Sequence, residues 1–152
     1  MEQRRGEPDN DLATRLGRQA ARINAATADL VDMAREFDDE GAWNGVGMRS
    51  CAHWLTINIG TDLRTSTEML RVGHALEQLP LLKQAFSDGR LSFDKVRAVT
   101  KVATPADEQM WLHVALYASG AQLWRLCRRV RQALDVAERD ASDADQARRK
   151  VV

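Results

Sequence analysis

The decapeptide Leu63–Val72, LRTSTEMLRV, gathers the side chains of this chain best suited to chemistry. On a helical wheel from Leu63 to Gln78, the residues Arg64, Thr67, Glu68, Arg71 and Gln78 fall on one side. Ser66, Met69, Leu70, Gly73 and Leu76 fall on the other. A guanidinium offers forked donors that match phosphate or the edge of guanine, and a threonine hydroxyl can donate or accept. Glu68 repels phosphate but can accept from the amino group of cytosine. The face is built to recognise a polar partner by hydrogen bonds.

Bond-making chemistry needs a constellation, and none assembles. His53, His74 and His113 each stand alone on a separate predicted helix, with no Asp, Cys or second His at ligand spacing. There is no Gly-rich phosphate loop and no nucleophile elbow. Cys51 and Cys127 lie far apart with no CxxC, so they read as reduced, half-buried thiols. Asp38-Asp39-Glu40 could hold a cation, but an acidic helix end before a Gly-rich loop reads more simply as solvated surface. These residues are expected not to form an enzyme by themselves. No catalytic group, metal ligand, cofactor or small-molecule substrate is expected.

The elements that must carry the Arg64/Thr67/Arg71 face are helical. With 152 residues, 44% of them apolar, three prolines and nine glycines, the chain is expected to form one all-α domain. No apolar run is long enough for a membrane span, and the N-terminus lacks a secretory pattern. A cytoplasmic place is expected, associated with the nucleoid if the chain binds DNA. Net charge is zero but unevenly spread: −4 over residues 1–48, +3 over 49–101 and +1 over 102–152. Arg outnumbers Lys 18 to 4, a bias that suits phosphate contacts but also follows from a GC-rich genome.

Residues 1–11 read as a disordered N-terminus. A long helix is predicted from about Asp9 to Asp38, where Leu16, Ile23, Leu30 and Phe37 recur every seven residues. Leu12 extends the stripe, and Ala20, Thr27 and Ala34 sit between its members. Those small positions favour packing of the stripe within the chain; a homodimer paired along this N-terminal helix is the alternative. A loop with Gly41, Gly45 and Gly47 follows, then a short helix capped by Ser50 with Trp54 as a core anchor. Gly60 supplies a sharp corner, and Asp62 caps the helix that carries the Arg64 face.

Pro80 opens a short helix closed by Gly89. Ser92 caps the next, with Phe93, Val96, Val99 and Val102 inward and Lys95, Arg97 and Lys101 outward. Thr104-Pro105-Ala106-Asp107 is predicted to open a helix running to about Ala118. Ser119 caps a last long helix with Leu123, Leu126, Val130, Leu134 and Ala137 inward, and Arg125, Arg128, Arg129 and Arg131 in its first half. Residues 136–152 read as a frayed helix or linker. The helical domain is thus placed at 12–135, with a helix-turn-helix at about 50–78: two helices joined at a glycine corner, the second offering donors to base edges and phosphates.

Five spaced elements agree in order with one family: Trp54-Leu55, Gly60, Arg64 to Arg71, Leu79-Pro80 and Gly89-Arg90-Leu91-Ser92. With the late segment SGAQLWRLCRRVRQAL, they make residues 12–135 resemble the 13E12 repeat family, also called domain of unknown function 222. More distantly, the central part resembles the helix-turn-helix region of ParB-like partition proteins. The resemblance implies contact with double-stranded DNA through the helix at 63–78, supported by the helix after Ser92. Members of the 13E12 family usually continue into an HNH endonuclease domain, whose metal-binding motif nothing in 1–152 matches. The chain would then be the targeting part, or a shortened copy, of such a mobile-element protein.

On that reading Arg64, Thr67 and Arg71 face the groove of DNA. Arg90, Lys95, Arg97, Arg125, Arg128 and Arg129 supply phosphate contacts, with Arg131 completing the cluster. The rival reading is a protein-interaction or oligomerisation module built on the two long terminal helices, with the turn as mere architecture.

Overall fold

The computed structural model describes residues 11–151, so the expected disorder at 1–11 lies outside the described residues except for Asp11, which stands at the start of α1. Those residues form helices α1 (Leu12–Glu40), α2 (Cys51–Ile59), α3 (Leu63–Leu76), α4 (Pro80–Ser87), α5 (Phe93–Val99), α6 (Glu108–Tyr117) and α7 (Gly120–Lys150), with no strand among them. The fold is the all-α arrangement expected, with long first and last helices. No helix of the described residues is long and apolar enough to cross a membrane.

Helix ends follow their capping chemistry. Ser50, Asp62, Ser92 and Ser119 each accept from the backbone N–H three residues on, which satisfies a donor the helix itself leaves orphaned. Ser119 and Gln122 complete a reciprocal capping box. The segment Thr104–Asp107 behaves differently from expectation. Asp107 Oδ1 accepts from Thr104 N–H at 2.6 Å and from its hydroxyl at 3.0 Å, so the four residues close a turn and α6 begins only at Glu108. The buried Glu108 carboxylate then accepts from Leu82 N–H at 2.9 Å and caps α4 from another helix, which Leu79 cannot do.

The main core joins α1, α3, α4, α5, α6 and the start of α7 around the fully buried Leu82, Phe86, Leu91, Val96, Val99 and Leu123. A smaller cluster of Ala34, Cys51, Ala52, Leu55 and Leu70 seats α2 on α1 and α3, with Phe37 and Trp54 packed at its edge. Trp54 and Phe37 rings lie 4.6 Å apart, so the expected anchor role of Trp54 is met at the rim of the core. Burial pushes the thiols of Cys51 and Cys127 up to about 11, which keeps both protonated and unreactive at neutral pH.

The long helix α1 turns its other face to the body. Ala28, Val31 and Ala34 are its buried residues, whereas Leu12, Leu16, Ile23, Leu30 and Met33 are 63, 63, 57, 40 and 64% exposed. The expected packing of the Leu16/Ile23/Leu30 stripe within the chain is therefore corrected. The physical reason is close approach: other elements cross α1 on its far side at their own glycines. A Cβ on Gly73 of α3 would lie 2.9 Å from Arg35 Cβ and 3.1 Å from Val31 O. Gly89 touches Ala21 even more tightly, and Asn24 Nδ2 donates to Gly89 O at 3.3 Å. Bulky residues cannot occupy such a seam.

Polar contacts fix the rest of it. Lys83 reaches Asp32 at 3.1 Å, Arg35 reaches Glu77 and Asp39 at 2.8 Å, and His74 reaches Asp38 at 2.8 Å. The Lys83 bond holds the Asp32 carboxyl below its ordinary value. Asp38 and Asp39 are thus engaged with α1 and α3 side chains. Among the described residues no cluster of His, Cys, Asp and Glu could hold a metal ion.

In α7, Leu123 and Cys127 are buried, but Leu126 and Leu134, expected inward, are 41 and 43% exposed. Leu126 lies off the Leu123–Cys127 side that meets the body, and α5 and α6 cover only the first part of the helix, short of Leu134. Residues 136–150 continue α7 as regular helix, solvent-exposed throughout.

Candidate nucleic-acid interface

The corner between α2 and α3 is closed by hydroxyls. Gly60 takes φ 77°, the left-handed conformation that ends α2 and that other residues adopt at a cost. Asp62 Oδ1 accepts from Thr65 N–H at 2.8 Å and Oδ2 from the Thr65 hydroxyl at 2.8 Å, and the amide bond chiefly holds the Asp62 carboxyl below its usual range. Ser66 is fully buried, yet its Oγ lies 2.7 Å from Thr61 Oγ1 and 3.1 Å from Thr56 Oγ1. Thr61 and Ser66 are both polar at this corner, and each satisfies the other. That mutual satisfaction removes the desolvation penalty that either would carry alone.

Beyond the corner, the first turns of α3 point two functional groups outward. Arg64 is exposed and makes no ion pair among the described residues. Thr67 is exposed; its hydroxyl donates to Leu63 O at 2.7 Å and keeps its acceptor positions open. Gln78, past the end of α3, is also exposed.

Arg71 is used differently. Its Nε and Nη2 donate to the two oxygens of Glu68 at 3.1 and 3.0 Å. Nη2 also donates to Arg97 O at 2.9 Å, and Nη1 to Thr100 Oγ1 at 3.3 Å. Half-buried, it joins α3 to the C-terminal turn of α5, where a cation suits the helix dipole. Glu68 is held below its ordinary value, first by the Arg71 bond and further by Lys101 and Arg97. A guanidinium with this many internal bonds positions α3 and has little left to offer a base edge.

Lys95 and Arg97, expected outward, also turn into the body. Lys95 Nζ donates to Ala115 O at 2.9 Å and satisfies a carbonyl in the last turn of α6. Arg97 lies 5.1 Å from the centre of the Trp124 ring and 3.4 Å from Asp94. Lys101 Nζ sits 5.2 Å from the same ring and 3.9 Å from Glu68. Two cations beside one indole ring are a strongly basic arrangement, softened by Glu68 close to Lys101.

That indole marks a cleft of about 230 Å³ between α5 and α7, lined by Lys101, Trp124, Cys127, Arg128, Arg131 and Gln132. Arg128 is exposed on its rim, and Arg131 is partly neutralised by Asp135 at 3.2 Å. Arg125 and Arg129 are exposed on the outer face of the same helix. Arg90 is exposed at the turn where Gly89 meets Ala21 of α1.

The structure therefore brings Arg71, Arg97 and Lys101 together around Glu68 and Trp124, with Arg128 and Arg131 alongside. Trp124 and Lys101 are the members that sequence reasoning did not assign to the site. Their signal was present in the aromatic within QLWRLCRR and the cation three residues before Thr104. The chain matches no family model, no curated protein and no solved structure.

Proposed function

We propose that this chain is a DNA-binding helical module in which Arg64 and Thr67 of α3 meet base edges and the basic face of α7 meets phosphates. The observation that carries the reading is the basic cleft around Trp124, joined to α3 through the Arg71–Glu68 pair. Arg125, Arg128 and Arg129 extend its positive surface without internal neutralisation. The resemblance to the 13E12 repeat family supports the same reading and suggests the role: placing a linked HNH endonuclease on its target, with no nuclease chemistry in these residues. Arg71, Lys95 and Arg97 then hold the surface in shape, and Arg64 makes the specific contact.

The test is fluorescence anisotropy of a labelled random-sequence duplex against the purified chain at two salt concentrations. With three phosphate contacts, a rise from roughly 50 to 200 mM salt should weaken binding about 40-fold. Replacing Arg125, Arg128 and Arg129 by Glu should abolish it at both. An absence of binding at low salt would sink the proposal.

A protein-interaction reading has its own observation in its favour, the uncovered apolar stripe of α1. The two readings are compatible, since many helix-turn-helix proteins bind DNA as dimers.

A further inference from the structure

We infer that α1 pairs with α1 of a second copy of this chain as an antiparallel two-helix coiled coil. The exposed face of α1 repeats every seven residues. Leu16, Ile23, Leu30 and Phe37 take the first core position, with Leu12, Gln19, Ala26 and Met33 in the second, three residues later. Seven of these eight are apolar, yet Leu12, Leu16, Ile23 and Met33 are each more than half exposed. The body of the protomer covers the opposite side of the helix through Ala21, Ala28 and Val31. The seam is thus open from Leu12 to Met33, with Phe37 packed beside Trp54 at its end, and burying it is favourable in proportion to its apolar area.

The charges beside the seam choose the partner and its direction. Arg15, Arg22, Asp29 and Glu36 flank one edge at the same seven-residue spacing, all exposed and without an ion pair among the described residues. The other edge is Ala13, Ala20 and Thr27, with no charge, and ends at Ala34, which the protomer's own α2 covers. In a parallel pair each charged edge would face an uncharged one, and nothing would be gained. In an antiparallel pair like edges meet. Arg15 then lies beside the partner's Glu36 and Arg22 beside the partner's Asp29, and two-fold symmetry repeats both pairs.

The same alignment sets Leu16 opposite the partner's Met33 and Leu12 opposite the partner's Phe37. Those two lie in an apolar groove of about 380 Å³, bordered also by Leu30, Trp54, Leu55 and Ile59. The N-terminal turns of α1, exposed on nearly every side, therefore have a receptor on the second copy. Gln19 falls opposite the partner's Leu30, a polar interruption that disfavours other registers at some cost in stability.

The test is sedimentation equilibrium of the full chain at about 10 µM, a concentration that populates a micromolar dimer. The expected mass is twice the 17.0 kDa of the chain. Ile23→Glu, at an exposed position, should give the monomer mass with undiminished helix content. Orientation is read from two charge variants. Arg15→Glu/Arg22→Glu makes the edge wholly acidic, and Asp29→Arg/Glu36→Arg makes it wholly basic. Each alone should self-associate at least about tenfold more weakly, and their mixture should recover the dimer as a heterodimer. A monomeric wild-type chain, a dimer indifferent to Ile23→Glu, or a mixture that stays monomeric would each overturn the inference.

Discussion

Replacing Gly89 by alanine should lower the melting midpoint of the chain by about 10 °C, on a loss of about 3 kcal/mol. Two costs coincide there. Gly89 has φ 78°, where an added Cβ is strained by about 1 kcal/mol or more. That Cβ would also fall against the carbonyl oxygen of Ala21, at a position no real Cβ occupies. The obstacle is backbone, so no rotamer change relieves it; α1 and the α4–α5 turn must separate. Separation would also stretch the Asn24–Gly89 bond and loosen the adjoining core at Leu91. Thermal unfolding followed by calorimetry measures the shift. A Gly89→Ala midpoint within about 2 °C of the wild type would show the crossing to be looser than described. Gly41→Ala is the control, since it shares the positive φ but meets no atom within 4 Å.

The second large effect separates two arginines that look alike in sequence. Arg71→Ala should destabilise the fold by about 1–2 kcal/mol, because it leaves Glu68 half-buried with Lys101 as its remaining partner and releases α3 from α5. Arg64→Ala should leave stability within about 0.5 kcal/mol, as at other unencumbered surface sites, while weakening DNA binding about tenfold. The acid limb of stability gives a further signature for Arg71. Glu68 has a folded value below its ordinary 4.5, so its contribution is present above about 4.5 and is lost as pH falls through the lower folded value. Arg71→Ala should remove most of that dependence. Urea titrations between roughly pH 3 and 6 distinguish the outcomes. If Arg64→Ala unfolds the chain, or Arg71→Ala costs affinity with no loss of stability, the division of roles proposed here is wrong.

That division also marks what sequence could and could not convey. Caps are local, so Ser50, Asp62, Ser92 and Ser119 announced their helices, and Gly60 and Gly89 their turns, from neighbouring residues alone. The small face of α3 at Ser66 and Gly73 was legible for the same reason: only a close crossing needs it. Which helix does the crossing, and with which of its faces, is not local. In α1 the periodicity revealed a stripe, but burial went to Ala28, Val31 and Ala34, the side on which Gly73 and Gly89 of other elements come closest. Arg71 and Arg64 lie on one wheel face; the Glu68 pair of Arg71 is local, but only the position of α5 adds the Arg97 carbonyl that consumes it. Thr104–Asp107 failed on a still shorter scale, since the same two side chains that build a capping box can close on each other. Lys95 and Arg97, like Arg71, reach neighbours that the wheel cannot show.

The far half of α7 has a consequence for how the molecule would melt. From Val136 to Lys150 every residue is exposed, and the stretch relies on its own ladder and on pairs such as Arg149–Asp145 at 3.0 Å. A helix without a tertiary partner is only marginally stable and frays progressively with temperature. All four tryptophans, at 43, 54, 111 and 124, belong to the packed body. Ellipticity would therefore decline through a sloping, non-cooperative phase while tryptophan emission stayed flat until the body gave way. The two signals would report different midpoints, and a single two-state free energy fitted to the first would understate the cohesion of the core.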